Sequence, residues 1–196
     1  VSCAAGMAVL DVIDAEGLQS RALTIGNHLL TRLQQLAQHH GAIGKFDPEA
    51  EYTVADAIEE AVDDHDDRLF ISFEGQEISY ADFDKRANQF AHWGRAAGLR
   101  KGDCVALFME NRPDYIAFWA GMSKIAVKVA LINYNLTGAG LAHCVKITNS
   151  RAIVMNPELA PQFESAREQT PLDLGAFVLG GPAAGMTQID ADVDKA

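Results

Sequence analysis

The chain has 196 residues, 48% of them hydrophobic and 22% charged, a composition that folds and is neither collagenous nor disordered. Sixteen Lys and Arg against 27 Asp and Glu leave a formal charge of -11, which repels phosphate backbones and argues against a nucleic-acid partner. The longest apolar stretches, Cys104 to Met109 and Val129 to Ile132, fall far short of the roughly 20 residues of a membrane-spanning helix, so no transmembrane segment is expected, while association with a membrane surface stays open.

Cys3, Cys104 and Cys144 are odd in number and widely spaced, which suits a reducing cytoplasm better than a disulfide framework. No secretory signal is expected, and a chain opening on Val1 in place of Met is expected to be an internal piece of something larger.

Residues 1–44 read as two helices. Ala5, Ala8, Val9, Val12 and Ile13 recur at helical spacing behind Ser2, and Gly17 ends that run. Leu18, Ala22, Ile25, Leu29, Leu33 and Leu36 form a second stripe, with Arg21, Asn27, Arg32 and Gln35 facing away. Two helices cannot bury both stripes alone, so a larger body is expected to cover them. A composition break follows at Gly41 to Pro48. From Asp47 to Asp67 there are ten acidic residues and no Lys or Arg, yet Val54, Ala57, Ile58, Ala61 and Val62 make one apolar helical face behind a Thr53/Asp56 capping box. The acidic run lacks the alternating acids and central glycine of a calcium loop and reads as a solvated helix face.

From Leu69 the period becomes that of an α/β domain. Leu69 to Phe73 and Glu77 to Ser79 flank Glu74-Gly75-Gln76, a hairpin. Ser79 and Asp82 cap a helix with the stripe Tyr80, Phe83, Ala87, Phe90, Ala91 and Ala97, closed by Gly98. Cys104 to Met109 is a strand buried on both faces, and it leads through Glu110-Asn111-Arg112 to Pro113 at the first position of a helix carrying Ile116, Trp119, Ala120 and Ile125. A second buried strand is expected at Val129 to Ile132, then a helix near Ala139 to Thr148, a strand at Ala152 to Met155 and a helix after Pro157. This alternation predicts right-handed crossovers in a parallel sheet. The segment from Gly180 to Ala196 has little hydrophobic content and is expected to be a disordered tail.

The phrases GLRKGDCVALFMENRPDYIAFWAGMSKI, ALINYNL, and LAHCV followed by SRAIV make residues 46–170 resemble the N-terminal part of the fatty-acid transport protein and very-long-chain acyl-CoA synthetase branch of the adenylate-forming, AMP-binding enzymes. The resemblance implies an α/β fold: an incomplete parallel-sheet N-terminal subdomain over 53–179, preceded by the two-helix segment. It also implies an ATP-dependent ligase, in which fatty acid and ATP give an acyl-adenylate that coenzyme A attacks to form the thioester. One departure is Ala126-Val127-Lys128, where the family has small or apolar residues. Either Lys128 reaches solvent along its stem or the strand starts later.

Residues 1–44 are similar instead to a segment of class III pyridoxal-phosphate aminotransferases, so residues 45–52 read as a junction, as in a fusion of two truncated families. Transaminase chemistry needs a lysine amine, and the first lysine of the chain is Lys45, outside that segment. A remnant of an aminotransferase is therefore expected to be without that activity.

The ligase chemistry is incomplete too. A Ser/Thr/Gly-rich loop followed by lysine must hold the triphosphate. Thr137-Gly138-Ala139-Gly140 and Gly180-Gly181-Pro182-Ala183-Ala184-Gly185 lack the lysine and the hydroxyl run, and read as a turn and as tail. No catalytic residue, cofactor site or metal site is expected in this chain. Complete relatives would use ATP, Mg and coenzyme A.

His39 and His40 point about 100° apart on a helix and make a poor metal pair. Cys104 reads as a core thiol, and His143 and Cys144 as helix neighbours that do not face each other. Ligands of parallel sheets gather at the carboxyl ends of the strands, here Glu110-Asn111-Arg112 and Asn133-Tyr134-Asn135. Asn111 reads as a helix cap, and Asn133 and Asn135 as turn residues. Any substrate contact, to a fatty acid or its acyl chain, is expected from Asn133, Asn135 and His143. The rival reading is a non-catalytic interaction module that forms homo-oligomers through the helices of residues 3–40 or a sheet edge.

Overall fold

A computed structural model describes residues 53–196 together with Thr24, Asn27 and Thr31. The helix pair, the junction at 45–52, Cys3, His39 and His40 lie outside the described residues. The chain divides between Glu51 and Tyr52 into two compact units, and every element named here belongs to the second.

Helix α1 (Val54–His65) starts with the expected capping box: Thr53 N–H donates to the Asp56 carboxylate at 2.7 Å and Asp56 N–H to Thr53 Oγ1 at 3.3 Å. Strands β1 (Leu69–Phe73) and β2 (Gln76–Ser79) pair antiparallel. The turn is one residue tighter than expected. Glu74 (φ +50°) and Gly75 (φ +83°) both adopt the left-handed conformation that a two-residue hairpin requires, and Gln76 already pairs with Phe73.

Helix α2 (Tyr80–Ala96) opens with Asp82 N–H donating to Ser79 Oγ at 3.0 Å. It closes in a Schellman motif around Gly98 (φ +85°), where Leu99 N–H donates to Gly94 O at 3.0 Å and Gly98 N–H to Arg95 O at 3.1 Å.

The main sheet contains β3 (Cys104–Phe108), β4 (Lys128–Leu131), β5 (Ala152–Met155), β6 (Gly175–Val178) and β7 (Thr187–Gln188), all parallel, in the order β4-β3-β5-β6-β7. The connections are α3 (Pro113–Lys124), α4 (Gly138–Ile147), and a 3-10 turn (Pro157–Leu159) with α5 (Ala160–Gln169), and α6 (Asp190–Asp194) follows β7. Strand periodicity splits β3 between two cores. Val105, Leu107 and Met109 pack with Phe83, Phe90 and Trp93 of α2 and Phe118 and Met122 of α3. Ala106 and Phe108 pack with Leu141 and Val145 of α4 and Phe163 of α5. The result is a three-layer α/β/α sandwich.

Three expectations change. First, β4 is the edge strand of the sheet, so it is not buried on both faces: Leu131 is 52% exposed, and Lys128 starts the strand with its side chain in solvent. An edge position resolves the misplaced lysine, since charge there blocks pairing with another chain.

Second, residues 180–196 are not a disordered tail. Ile189 (1% exposed) and Val193 (0%), four residues apart, insert into the core beside α2, and Ile189 N–H donates to Val178 O at 3.0 Å. Low overall hydrophobicity hid two well-placed anchors. Third, α3 buries Ala117, Phe118, Ala120, Gly121 and Met122 while Ile116 is 42% exposed. That face is selected by close approach to α2, where a Cβ on Gly121 would lie 2.3 Å from Ala87 O.

An ion cluster ties three helices. Lys124 Nζ lies 2.7 Å from Asp84 and 3.0 Å from Glu59, so the acidic run supplies at least one interhelical partner. Burial pulls the Lys124 pKa down, but the hydrogen bonds and charges of Asp84 and Glu59 outweigh it and the net shift is upward.

Two predictions follow from this packing and capping. Gly121→Ala forces α2 and α3 apart and is expected to cost about 2–3 kcal/mol in urea unfolding. Gly140→Ala, in α4 with no neighbour closer than 3.9 Å, is expected to stabilise by about 0.5–1 kcal/mol in the same assay.

Two carboxyls, the exposed Asp56 and the half-buried Asp103, titrate below their ordinary range. Asp56 is held down by the Thr53 side-chain and backbone hydrogen bonds, and Asp103 by the Arg100 amide and then Arg151. A depressed folded pKa stabilises fully above the unfolded value of about 3.9 and is lost as pH falls through the folded value. The urea midpoint is therefore expected to drop on acidification through that window, and to drop less steeply in the Asp56→Asn, Asp103→Asn double variant.

Candidate functional site

The strand order reverses at β3. The crossover from β3 leads to β4 on one side, and the next passes back to β5 on the other, so the β3/β5 gap is the switch point where a crevice opens at the carboxyl ends of the strands. Three chain segments meet there: Glu110-Asn111-Arg112 after β3, Asn156 after β5, and Leu179-Gly180-Gly181 after β6.

The N-cap of α3 is Arg112, not Asn111 as expected. The restriction that Pro113 places on its predecessor holds Arg112 extended (φ -151°), and no side chain caps the helix. Arg112 Nη1 and Asn156 Nδ2 each lie 3.8 Å from the position a Cβ on Gly180 would occupy. Asn156, 1% exposed, donates from Nδ2 to Leu179 O at 3.2 Å, and its buried Oδ1 accepts no hydrogen bond. Gly180 N–H donates to Asp190 Oδ1 at 2.9 Å, so this amide is already taken.

Next to the switch point lies an open cleft of about 720 Å³, walled by Phe73 and Ile78 of the hairpin, Phe83 and Arg86 of α2, and Glu110 to Asp114. Arg86 is saturated. It pairs bidentately with Asp114 (2.8 and 3.2 Å), reaches Asp194 at 2.7 Å and lies 4.7 Å over the Phe90 ring. Burial lowers the Arg86 pKa, the Asp114 and Asp194 contacts raise it by more, and the net direction is up. Among the described residues, the Arg112 side chain, also in this wall, meets only Glu110, at 3.8 Å and beyond hydrogen-bond distance.

Asn133, Asn135 and His143 are exposed and line neither this cleft nor the groove beside it. Asn133 Oδ1 accepts from Asn135 N–H at 3.0 Å, an Asx turn at the end of the edge strand β4, which is the turn role anticipated for this pair. His143 faces solvent on α4, whereas Cys144 packs partly against the second core. No local signal marks Arg86 or Asp114 as functional residues, because the partners of Arg86 lie 28 and 108 residues away in sequence.

The family model described as AMP-binding enzyme matches residues 58–192. The chain belongs to the AMP-binding enzymes. Among relatives of this AMP-binding chain, long-chain fatty acid transport protein 2 of Rattus norvegicus is 40% identical over 99 residues, covering 48% of this chain and 16% of that protein. The chain thus spans about one-sixth of the length of that relative.

Two solved structures share its fold. The anthranilate CoA ligase AuaEII, in complex with anthranoyl-AMP, superposes with a TM-score of 0.68 at 21% identity, over 74% of this chain and 28% of that one. The long-chain-fatty-acid-CoA ligase FadD1 of Archaeoglobus fulgidus gives 0.64 at 19% identity, over 75% and 30%. The expected α/β parallel-sheet fold of the N-terminal subdomain of adenylate-forming enzymes is therefore what the AMP-binding chain adopts. No helix among the described residues is long and apolar enough to cross a membrane.

The Arg86 clamp predicts its own phenotype. Arg86→Gln is expected to lower stability by about 1–3 kcal/mol and to speed amide exchange in residues 190–196, read by urea unfolding and hydrogen-exchange mass spectrometry. Unchanged exchange in that segment would show that Ile189 and Val193 hold α6 without the ion pair.

Proposed function

We propose that this chain supplies the first parallel sheet of an ATP-dependent fatty acid:CoA ligase of the fatty-acid transport type. One observation carries this reading: the AMP-binding match across 58–192 coincides with 40% identity to a long-chain fatty acid transport protein. In such a ligase the fatty acid attacks ATP to give acyl-adenylate and pyrophosphate, and the coenzyme A thiol then displaces AMP. Asn133, Asn135 and His143 contact the acyl substrate in the longer protein; Asn133 and Asn135 follow strand β4, and His143 lies exposed on α4.

The described residues do not fit a triphosphate. The Gly180 amide that would face a phosphate is occupied by Asp190, whose carboxylate repels one, and Gly180 to Gly185 carry no lysine. No step through ATP, Mg or coenzyme A is assigned to these residues. By themselves the 196 residues form no acyl-CoA.

The proposed organisation keeps residues 1–44 as an aminotransferase-like helix pair and 45–52 as a junction, on sequence grounds alone. A second reading, self-association as an interaction module, is favoured by two exposed apolar side chains, Leu131 at 52% at the end of β4 and Ile147 at 67% on α4.

The test starts at the locus. Sequencing the transcript past the codon for Ala196 is expected to reveal a Ser/Thr/Gly-rich loop with a lysine, and the encoded longer protein is expected to convert palmitate, ATP and coenzyme A to palmitoyl-CoA. The 196-residue chain is expected to make none, and in the longer protein Asn133→Ala is expected to weaken fatty-acid affinity about tenfold. Product from the 196-residue chain sinks the claim of inactivity, and none from the longer protein sinks the ligase reading.

A further inference from the structure

A second groove shares a wall with the cleft. It encloses about 410 Å³, within the range of about 300–1,000 Å³ common for small-molecule sites, and is lined by Ile71, Phe73, Asn111, Arg112, Pro113, Tyr115 and Ile116. Its walls are mostly aliphatic and aromatic with the Asn111 amide beside them, and among the described residues that line it Arg112 is the only charged one and none is a carboxylate. In a chain of net charge -11, an apolar trough ending on one cation is selective by charge as well as by polarity.

We infer that this groove binds the alkyl chain of a long-chain carboxylate, with Arg112 pairing the headgroup. The inference rests on the fatty-acid reading above for its substrate class and adds a site on this chain for it. A planar carboxylate matches the guanidinium fork bidentately. Arg112 is free to engage it: its side chain is 33% exposed, and its ion pair to Glu110 is long at 3.8 Å. The end of α3 beside it carries no side-chain cap, so the positive end of the helix dipole adds to the attraction.

A single negative charge suits the site better than a phosphate dianion, because Glu110 and Asp114 flank Arg112 in sequence and repel further charge. Ile116, 42% exposed on the first turns of α3, and Tyr115 then have an apolar partner, which the fold itself does not provide for Ile116.

The experiment is fluorescence titration of the 196-residue chain with cis-parinaric acid below its micelle concentration, displaced by dodecanoate or by dodecanol. Saturable binding is expected, with dodecanoate displacing at least about tenfold better than dodecanol, since only the acid pairs with Arg112. Arg112→Gln is expected to erase that preference and Ile116→Asp to abolish binding, with circular dichroism unchanged. If Arg112→Gln proves unfolded, Arg112→Lys is expected to keep part of the acid preference and Ile116→Asp decides the location.

Absence of binding, equal displacement by alcohol and acid, or unchanged binding in Ile116→Asp each overturns the inference. So does binding only to phosphatidylglycerol vesicles and not to the monomeric acid, which would make this face a membrane contact. Palmitoyl-CoA formation by the longer protein without parinarate binding here would remove this site and leave the ligase reading standing.

Discussion

The double burial of β3 is the constraint on which the rest depends. Its residues alternate between two cores with no exposed side chain from Val105 to Met109, so helices must cover both faces of the sheet. Once α2 and α3 lie on one face and α4 and α5 on the other, the chain has to cross back over β3 between β4 and β5, and that reversal creates the switch point. The residue that leaves β3 at this point and opens α3 is Arg112. Its place at the mouth of the cleft is thus set by the fold and reinforced by Pro113, which holds it extended.

The two arginines in the same wall do different work because their partners differ. Arg86 is enclosed by Asp114, Asp194 and the Phe90 face, so its charge is spent on joining α2, α3 and α6. Among the described residues Arg112 has only a distant carboxylate beside it and lines a mostly apolar trough. The neighbouring glycines make the same point in reverse. Gly180 and Gly181 take backbone angles that other residues avoid, and with the half-buried Asp190 carboxylate on the Gly180 amide they brace the β6 to β7 connection instead of cradling an anion.

Much of this was legible in the linear chain. The Thr53 and Ser79 caps, the Gly98 stop, Pro113 at the head of its helix and the apolar run of β3 are local signals, each decided by a few adjacent residues, and they appear in the structure where expected. The carboxyl end of β3 was also readable as a place for a site. That β4, which Asn133 and Asn135 follow, falls at the sheet edge was not readable, because strand order is a property of the crossovers that no local pattern encodes.

Up to residue 169 the sequence alone settles the types of element and their order, because caps, turns and hydrophobic periods act over a handful of residues. It also settles that no lysine-bearing phosphate loop lies among these 196 residues. Tertiary structure decides which helix face is buried, which strand is the edge, that Ile189 and Val193 anchor residues 180–196, and which arginine is left unsaturated. Those outcomes depend on contacts between residues far apart in sequence, such as Arg86 with Asp194 and Gly121 with Ala87, whose energies appear only when the layers are packed.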